Sequence, residues 1–254
     1  MSRPPARIAV LLALLILALL APRERVRAED LAADLSKHLI AITTAFVGTE
    51  VVLFGTSDGQ GDIVVTVHGP RQDTVVWRKD RVAGIWLNRD SVEFADVPDY
   101  YAIAASGPLE RIARPDVRAR LELGVEYLRL EPRDAAGREA GEIASFEDAL
   151  VRNKQRQRLY TEEPGDVNFI GPRLFRTTLN FPASVQPGIY QVQVFELEDG
   201  QVTDAQRSTL VISKVGVEAD IFDFARQESA LYGLTAIIVA VVSGWLAGVI
   251  FRRA

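Results

Sequence analysis

The sequence predicts a mainly β domain, folded as an antiparallel sandwich, that is held at a membrane by a single C-terminal helix. Short runs rich in Val, Ile, Thr and aromatic residues lie on both sides of a central stretch with helical periodicity. Residues 231–251 contain no Asp, Glu, Lys or Arg. At about 1.5 Å per residue, a helix of that length spans roughly 30 Å, the thickness of the hydrocarbon core of a bilayer.

The N-terminal segment, residues 1–28, has the layout of a secretory signal peptide. Arg3 and Arg7 precede an uncharged run at residues 8–21, and small residues at 26 and 28 provide a cleavage site. Three arginines lie between that run and residue 28, so an uncleaved N-terminal anchor is the alternative.

Both alternatives predict the same topology. Arg252 and Arg253 follow the apolar run, and the positive-inside bias places such residues in the cytoplasm. Residues 252–254 are therefore predicted to be a cytoplasmic tail, with the domain on the opposite side of the membrane.

The charge balance limits the possible ligands of this domain. Seven of the 29 basic residues lie in residues 1–28 or after the apolar run, against one of the 34 acidic residues, which leaves the domain near −11. A strongly acidic domain is not expected to bind nucleic acid, because both carry negative charge. The chain has no Cys, which excludes disulfides, cysteine nucleophiles and thiolate metal sites.

The first β region is predicted over residues 29–106. Its strand-like runs are residues 39–46, 50–55, 63–68, 74–78, 84–88 and 100–105. Turn-forming clusters at residues 57–61, 69–70 and 88–90 separate them, and this spacing favours antiparallel pairing.

A helical insertion is predicted over residues 107–165. Apolar residues between 108 and 123 recur at helical spacing, and Pro115 divides them into two short helices. Residues 125–130 are predicted to form a strand and residues 133–141 a loop. A longer helix is predicted at residues 146–160, with Ser145 as its N-cap.

That longer helix is predicted to have two faces. The predicted core face consists of Phe146, Ala149, Leu150, Asn153 and Leu159. The other face is basic and consists of Arg152, Lys154, Arg156 and Arg158. The basic face could dock on lipid headgroups or on an acidic partner, although a solvated helix face is the simpler interpretation.

The second β region is predicted over residues 166–215, with strands at 174–181, 189–197 and 202–213. The step Asp199-Gly200 between two alternating runs predicts a hairpin. Pro187-Gly188 opening the alternating strand 189–197 is typical of the late strands of immunoglobulin-like sandwiches. The pattern leaves open whether there are one or two sandwiches. Residues 216–230 are predicted to be a juxtamembrane linker.

Few residues suggest a ligand site. The two histidines, His38 and His68, would need a carboxylate such as Asp62 or Asp73 to bind a metal, and strand-end histidines with ordinary hydrogen bonds are the favoured interpretation. Arg89 and Asp90 lie in a polar cluster between two predicted strands, where Arg89 could bind an anion. Turn chemistry is the favoured interpretation of that cluster.

The sequence predicts a non-enzymatic protein. Residues 55–61 lack the Lys of a phosphate-binding loop and precede no helix. Neither histidine has a neighbouring nucleophile motif, so no Ser-His-Asp arrangement can be argued. No cofactor is implied.

The apolar run 231–251 carries small residues at every fourth position. They are Ala236, Ala240, Gly244 and Gly248, and we call them the small-residue stripe. Such stripes let two membrane helices approach closely, so the stripe predicts packing against a second copy of the chain or against a polytopic permease.

Four segments together resemble an alphaproteobacterial family of transmembrane proteins. The segments are residues 34–44 (DLSKHLIAITT), 84–91 (GIWLNRDS), 150–156 (LVRNKQR) and 219–225 (ADIFDFA). The resemblance covers the chain from about residue 30 to its end. It implies a bacterial inner-membrane protein with a periplasmic domain, working near a sulfite-exporter-like permease. No catalytic or ligand residues are defined for the family, so none can be carried over.

The leading functional hypothesis is therefore a membrane-anchored periplasmic accessory protein that serves a transporter. The alternative is a periplasmic membrane protein that binds a solute or a metal through Arg89 or the histidines.

Overall fold

The computed structural model describes residues 31–82, 84–135, 137–215, 225–226 and 228–251. The predicted signal segment at 1–28, the tail at 252–254 and most of the linker at 216–230 lie outside the described residues. The described part is mainly β with one long apolar C-terminal helix, as the sequence predicts.

Within the described residues, thirteen strands form three sheets. The first sheet has the order β1-β3-β11-β10 and contains β1 (Ala32–Leu35), β3 (Gly48–Thr56), β10 (Asn168–Ile170) and β11 (Leu174–Pro182). The second has the order β2-β13-β12-β4-β7-β9 and contains β2 (Leu39–Ile42), β4 (Asp62–His68), β7 (Tyr101–Ala105), β9 (Gly165–Asp166), β12 (Gly188–Glu198) and β13 (Gln201–Lys214). The third has the order β5-β6-β8 and contains β5 (Arg71–Val82), β6 (Ile85–Pro98) and β8 (Glu131–Pro132).

Antiparallel pairing dominates but is not universal. Strand β2 runs parallel to β13, and β9 runs parallel to β7. The second sheet is therefore mixed, which corrects the purely antiparallel prediction. Strand β1 was not predicted, because its apolar alternation consists only of Leu31, Ala33 and Leu35. In the structure all three side chains are buried.

The first two sheets share one hydrophobic core. Alternate residues of β11, such as Phe175 and Phe181, and of β12, such as Tyr190 and Val192, are buried in it. The rings of Phe181 and Tyr190 meet edge to face with their centroids 5.8 Å apart. This alternation is the period-2 pattern that predicted the strands.

Strands β5 and β6 form a long hairpin, which we call the arm. Its turn lies near Gly84, whose φ of +88° suits a residue without a Cβ. The turn predicted at residues 88–90 is wrong: Asn88 pairs with Lys79, and Asp90 pairs with Arg78, inside the arm. Asn and Asp tolerate turns, but they also suit an exposed strand. Here their cross-strand partners, Lys79 and Arg78, are basic.

The predicted helical insertion contains helices α1 (Leu109–Ile112), α2 (Pro115–Leu121) and α3 (Ala140–Arg156). The break at Pro115 is confirmed, because this residue opens α2 at a position that needs no N–H. The strand predicted at 125–130 is wrong: residues Val125–Tyr127 form a 3₁₀ turn.

Helix α3 begins six residues before the predicted start at residue 146 and ends four before residue 160. Ser145 is not its N-cap, since its hydroxyl donates to the Glu142 carbonyl within the helix. Phe146 and Leu150 are buried as predicted. They form a second, smaller core with residues of the arm, namely Val76, Val92, Phe94 and Val97.

The C-terminal helix α4 extends over Ser229–Phe251. Its segment Ser229–Gly248 is long and apolar enough to cross a membrane, and none of that segment is buried against the rest of the chain. This agrees with the span predicted at 231–251.

Candidate functional site

The two histidines do not form a common site. His38 Nε2 lies 2.9 Å from Asp34 Oδ1, and both side chains are more than half exposed. His68 ends β4, and two strands separate β4 from the β2 edge of the sheet where His38 lies. At about 4.8 Å per strand spacing, the two residues are roughly 14 Å apart.

The carboxylates predicted to complete a metal site are engaged elsewhere. Asp62 Oδ1 accepts a 2.7 Å hydrogen bond from Ser106 Oγ, and Asp73 Oδ2 lies 2.6 Å from Arg133 Nη2. Within the described residues, no group of three or more His, Asp and Glu side chains is placed to hold a metal ion.

Arg89 and Asp90 point to different partners. Arg89 makes one exposed contact, 3.5 Å from Asp80 Oδ2. Asp90 accepts hydrogen bonds from Arg138 at 2.9 Å and from Arg78 at 2.6 Å, and these bonds, led by that from Arg138, hold the pKa of its carboxyl far below the ordinary value. Asp90 therefore fastens the arm to the start of α3.

The predicted basic face of α3 is only partly a solvated face. Arg152 and Arg156 are exposed, but Lys154 is buried and its Nζ lies 2.6 Å from Asp99 Oδ1. Arg158 lies beyond the helix and has a left-handed φ of +58°. The prediction that Lys154 belongs to an exposed cluster is wrong.

One cleft in the described part of the chain brings several polar groups together and involves His68. It is a cleft of about 530 Å³ between the end of α2, the turn from β4 to β5 and the outer surface of β12 and β13. The lining residues are His68, Gly69, Pro70, Arg71, Arg120, Leu121, Glu122, Arg129, Ile189, Gln191, Gln193 and Arg207. We call it the arginine cleft.

The pleat of the second sheet supplies the floor of the arginine cleft. In β12, Tyr190, Val192 and Val194 enter the core, so Ile189, Gln191 and Gln193 face outward. Arg207 of β13 pairs with Gln193, and His68 of β4 pairs with Gln191. The same outward surface therefore carries an imidazole, two amides and a guanidinium.

Glu122 is the central anion of the cleft. It caps the C-terminus of α2 in a left-handed conformation with φ of +54°, and its carbonyl accepts a 2.7 Å bond from the buried Tyr101 hydroxyl. Its carboxylate accepts a 3.1 Å bond from Arg71 Nη2. Burial raises the pKa of Glu122, but the adjacent His68 imidazole, Arg71 guanidinium and Arg129 amide outweigh burial and lower that pKa to about 2.

The remaining cations of the cleft are not neutralised. Among the described residues, the side chains of Arg120 and Arg207 have no ion-pair or hydrogen-bond partner. Arg129 Nε approaches Glu122 no closer than 3.8 Å. Four guanidinium groups therefore face one carboxylate, in a domain whose overall charge is strongly negative.

His68 adds a polar group without a hydrogen-bond partner. Its side chain is 11% exposed, and Nε2 lies 3.4 Å from Glu122 Oε2 without the alignment of a hydrogen bond. The ring packs edge to face on Tyr101 at 5.1 Å, which fixes its plane. Nε2 itself is shielded from solvent, so the imidazole contributes to the cleft as the neighbour of Glu122.

Sequence reasoning found His68 but missed the four arginines. Arg71, Arg120, Arg129 and Arg207 come from four separate segments, and no local motif connects them. The one signal in the sequence was the alternation of Gln191 and Gln193 with apolar residues in the first half of β12, which marks an outward-facing polar surface.

The small-residue stripe lies along α4, where Ala236, Ala240, Gly244 and Gly248 are exposed. A Cβ built at Gly244 or Gly248 would meet nothing within 4 Å. Larger residues at Gly244 and Gly248 are therefore compatible with the fold of a single chain. A change in complex formation caused by such substitutions would report on a neighbouring helix.

Searches of curated proteins and of solved structures found no match. A family model described as "Putative transmembrane protein (Alph_Pro_TM)" matches residues 30–253. Because this match covers nearly the whole chain, the protein belongs to that transmembrane protein family, as the resemblance of the four sequence segments predicted.

Proposed function

We propose that this protein is a non-enzymatic accessory protein of the bacterial inner membrane whose periplasmic β domain docks on a membrane transporter. In this proposal α4 is the anchor, the N-terminal segment directs export, and the short tail after α4 faces the cytoplasm. A sulfite-exporter-like permease is the expected partner.

The observation that carries the proposal is a set of exposed apolar side chains on the arm, three of them next to its turn and Trp77 farther down, opposite Ser91. Trp77, Ile85, Trp86 and Leu87 have relative exposures of 55%, 64%, 65% and 48%. Large apolar groups clustered on a surface mark interaction sites, and Trp is enriched among the residues that dominate binding energy. A two-stranded arm can insert such groups into a groove of a partner.

The topology of the domain supports the same proposal. We interpret the first two sheets, of orders β1-β3-β11-β10 and β2-β13-β12-β4-β7-β9, as an immunoglobulin-like sandwich with β9 as an added edge strand, a fold widely used for binding. In this interpretation the arm is an insertion between the strands β4 and β7 of that sandwich.

The small-residue stripe of α4 gives a second contact with the partner. Because lipid tails are as apolar as the helix, association in a membrane depends on close backbone approach. A helix of the permease and a second copy of this chain are the two candidate neighbours of the stripe.

The test is affinity purification of the tagged full chain from native membranes in mild detergent, followed by mass spectrometry. Recovery of one polytopic permease is expected from the wild type and from the control Val47→Ser. This control changes an exposed apolar residue that lies outside the arm. The arm variant Ile85→Ser/Trp86→Ser and the stripe variant Gly244→Leu/Gly248→Leu are each expected to reduce that recovery. Recovery of the wild-type chain alone, as a monomer, would contradict the proposal.

The second candidate function is solute binding, and the arginine cleft favours it. No comparable observation supports metal binding, since the histidines are separated by two strands and Arg89 contacts Asp80.

A further inference from the structure

We propose that the arginine cleft is a binding site for a small anion that carries two or more negative charges on carboxylate, phosphate or sulfate groups. The site lies on the outer surface of β12 and β13. It includes Arg71 at the base of the arm, but none of the exposed apolar residues of the arm and none of the small-residue stripe. A failure of either proposal therefore leaves the other unaffected.

The charge distribution is the first argument. Where guanidinium groups converge elsewhere in the domain, a carboxylate lies between them: Arg78 and Arg138 both meet Asp90. The cleft places Arg120 and Arg207 on one cavity without any such partner among the residues that the structure describes. Like charges that converge on one concavity repel, and a bound anion removes that repulsion.

The chemistry of the donors is the second argument. A guanidinium presents planar pairs of N–H groups that match carboxylate and phosphate oxygens. Gln191 and Gln193 add amide N–H groups to the floor of the cleft. All of these groups can donate, and the single carboxylate among them is already engaged by Arg71.

Glu122 has a positioning role in this site. Its lowered pKa, about 2, means that it stays ionised at neutral pH, so it holds Arg71 in place by a 3.1 Å bond. It also offsets one of the four positive charges. Asp96 Oδ2 also lies 3.4 Å from Arg71 Nη1, and the excess of positive charge that remains on the other arginines matches an anion with several charges better than chloride.

The size of the cleft sets the class of ligand. About 530 Å³ lies in the range of small-molecule sites and exceeds the volume of a single inorganic ion. The lining combines charged and amide groups with only a few apolar side chains such as Ile189 and Leu121. A compact polar anion of the size of a tricarboxylate or a sugar phosphate fits this composition.

The test uses the full chain in nanodiscs of phosphatidylcholine, titrated calorimetrically at low salt with citrate, glucose 6-phosphate, sulfate and chloride. At least one multiply charged probe is expected to bind with a Kd of about 1 mM or tighter, and more tightly than chloride. Arg120→Gln/Arg207→Gln is expected to weaken that binding by at least about tenfold, because charge-assisted hydrogen bonds to the anion are lost.

The matched control is Arg152→Gln/Arg176→Gln, which removes the same charge from two exposed arginines outside the cleft. This control is expected to bind the probe as the wild type does. Absence of binding by every probe, or an equal loss in the control and the cleft variant, would overturn the proposal.

A phosphate group could also come from a lipid headgroup, and a second titration separates the two sources. Nanodiscs that contain phosphatidylglycerol are expected to leave the affinity for the soluble probe unchanged if the ligand is a free solute. A fall in that affinity that is absent in Arg120→Gln/Arg207→Gln would assign the same site to an anionic headgroup.

Discussion

Lys154 Nζ lies 2.6 Å from Asp99 Oδ1, and the two side chains are only 10% and 6% exposed. This ion pair joins α3 to the short connection between β6 and β7. Lys154 Nζ also donates to the Asp99 carbonyl at 3.3 Å, and Gln72 Nε2 donates to Asp99 Oδ1 at 3.1 Å. The insertion is thus fastened to the main β domain by a buried polar cluster as well as by apolar packing.

Lys154→Met is expected to destabilise the protein by about 3 kcal/mol, because it leaves the Asp99 carboxylate buried without its cation. The measurement is urea unfolding of the detergent-solubilised chain, followed by Trp fluorescence. Arg152→Met on the exposed side of α3 is the matched control and is expected to change stability by no more than about 0.5 kcal/mol. Equal changes in unfolding free energy for the two substitutions would mean that the buried ion pair stabilises the protein no more than an exposed arginine does.

Glu122 makes stability depend on acid pH. Its folded pKa of about 2 lies below the ordinary value of 4.5, so its contribution is complete above about pH 4.5 and is lost as the pH falls toward 2. Glu122→Gln is expected to lower stability at pH 7 by an amount on the order of 2 kcal/mol and to have a much smaller effect near pH 2.

The measurement for Glu122 is the difference in unfolding free energy between the wild type and Glu122→Gln at several pH values. Comparing two variants at each pH cancels the contribution of other carboxylates such as Asp90. A difference that stays constant from pH 7 to pH 2.5 would show that the cleft does not hold Glu122 in its ionised form.

The sequence predicted elements whose signals are local. The Asp199-Gly200 step forms the hairpin between β12 and β13, with φ of +49° and +77°, as a two-residue turn with both central residues left-handed requires. Pro115 divides the two short helices for an equally local reason, since its ring disrupts the preceding helical turn.

The arginine cleft was not predictable in this way, because sheet pairing and the insertion bring its residues together. Arg71 and Arg207 lie far apart in the sequence and near opposite ends of the domain's chain, yet both line one cavity. The turn predicted at Asn88 and Asp90 was wrong for a related reason: a partner distant in sequence, Arg138, decides the role of Asp90.

Glu196 gives a pH dependence of the opposite sign. It is almost wholly buried in β12, its Oε1 has no hydrogen-bond partner, and burial, followed by the nearby Asp58 charge, raises its pKa to about 7. The protonated form is therefore favoured in the folded state. The stability associated with it is complete below about pH 4.5 and is lost as the pH rises through 7.

Glu196→Gln keeps the shape of the protonated carboxyl and cannot ionise. It is expected to be more stable than the wild type by an amount on the order of 2 kcal/mol at pH 8, and to lose that advantage at pH 5. Thermal unfolding at the two pH values measures the change. Glu50→Gln, which changes an exposed glutamate of β3, is the control and is expected to show no such gain at pH 8.

Two glycines are expected to respond to alanine in opposite directions. Gly55 lies in β3 between β1 and β11, and a Cβ there would lie 2.5 Å from the Ala32 carbonyl oxygen and 2.5 Å from Phe175 Cζ. A backbone oxygen of a paired strand cannot move away, so Gly55→Ala is expected to destabilise the protein by about 2 kcal/mol or more. Gly141 lies in the first turn of α3, where a Cβ would meet nothing within 4 Å.

Gly141→Ala is accordingly expected to stabilise the protein by up to about 1 kcal/mol, because alanine restricts the unfolded chain and favours the helix. Urea unfolding of both variants beside the wild type measures the two effects on one scale. Since both substitutions add the same single methyl group, only the surroundings of that group can produce opposite signs. A neutral result at Gly55 would mean that β1 is not paired closely against β3 in solution, which would remove the edge strand from the first sheet.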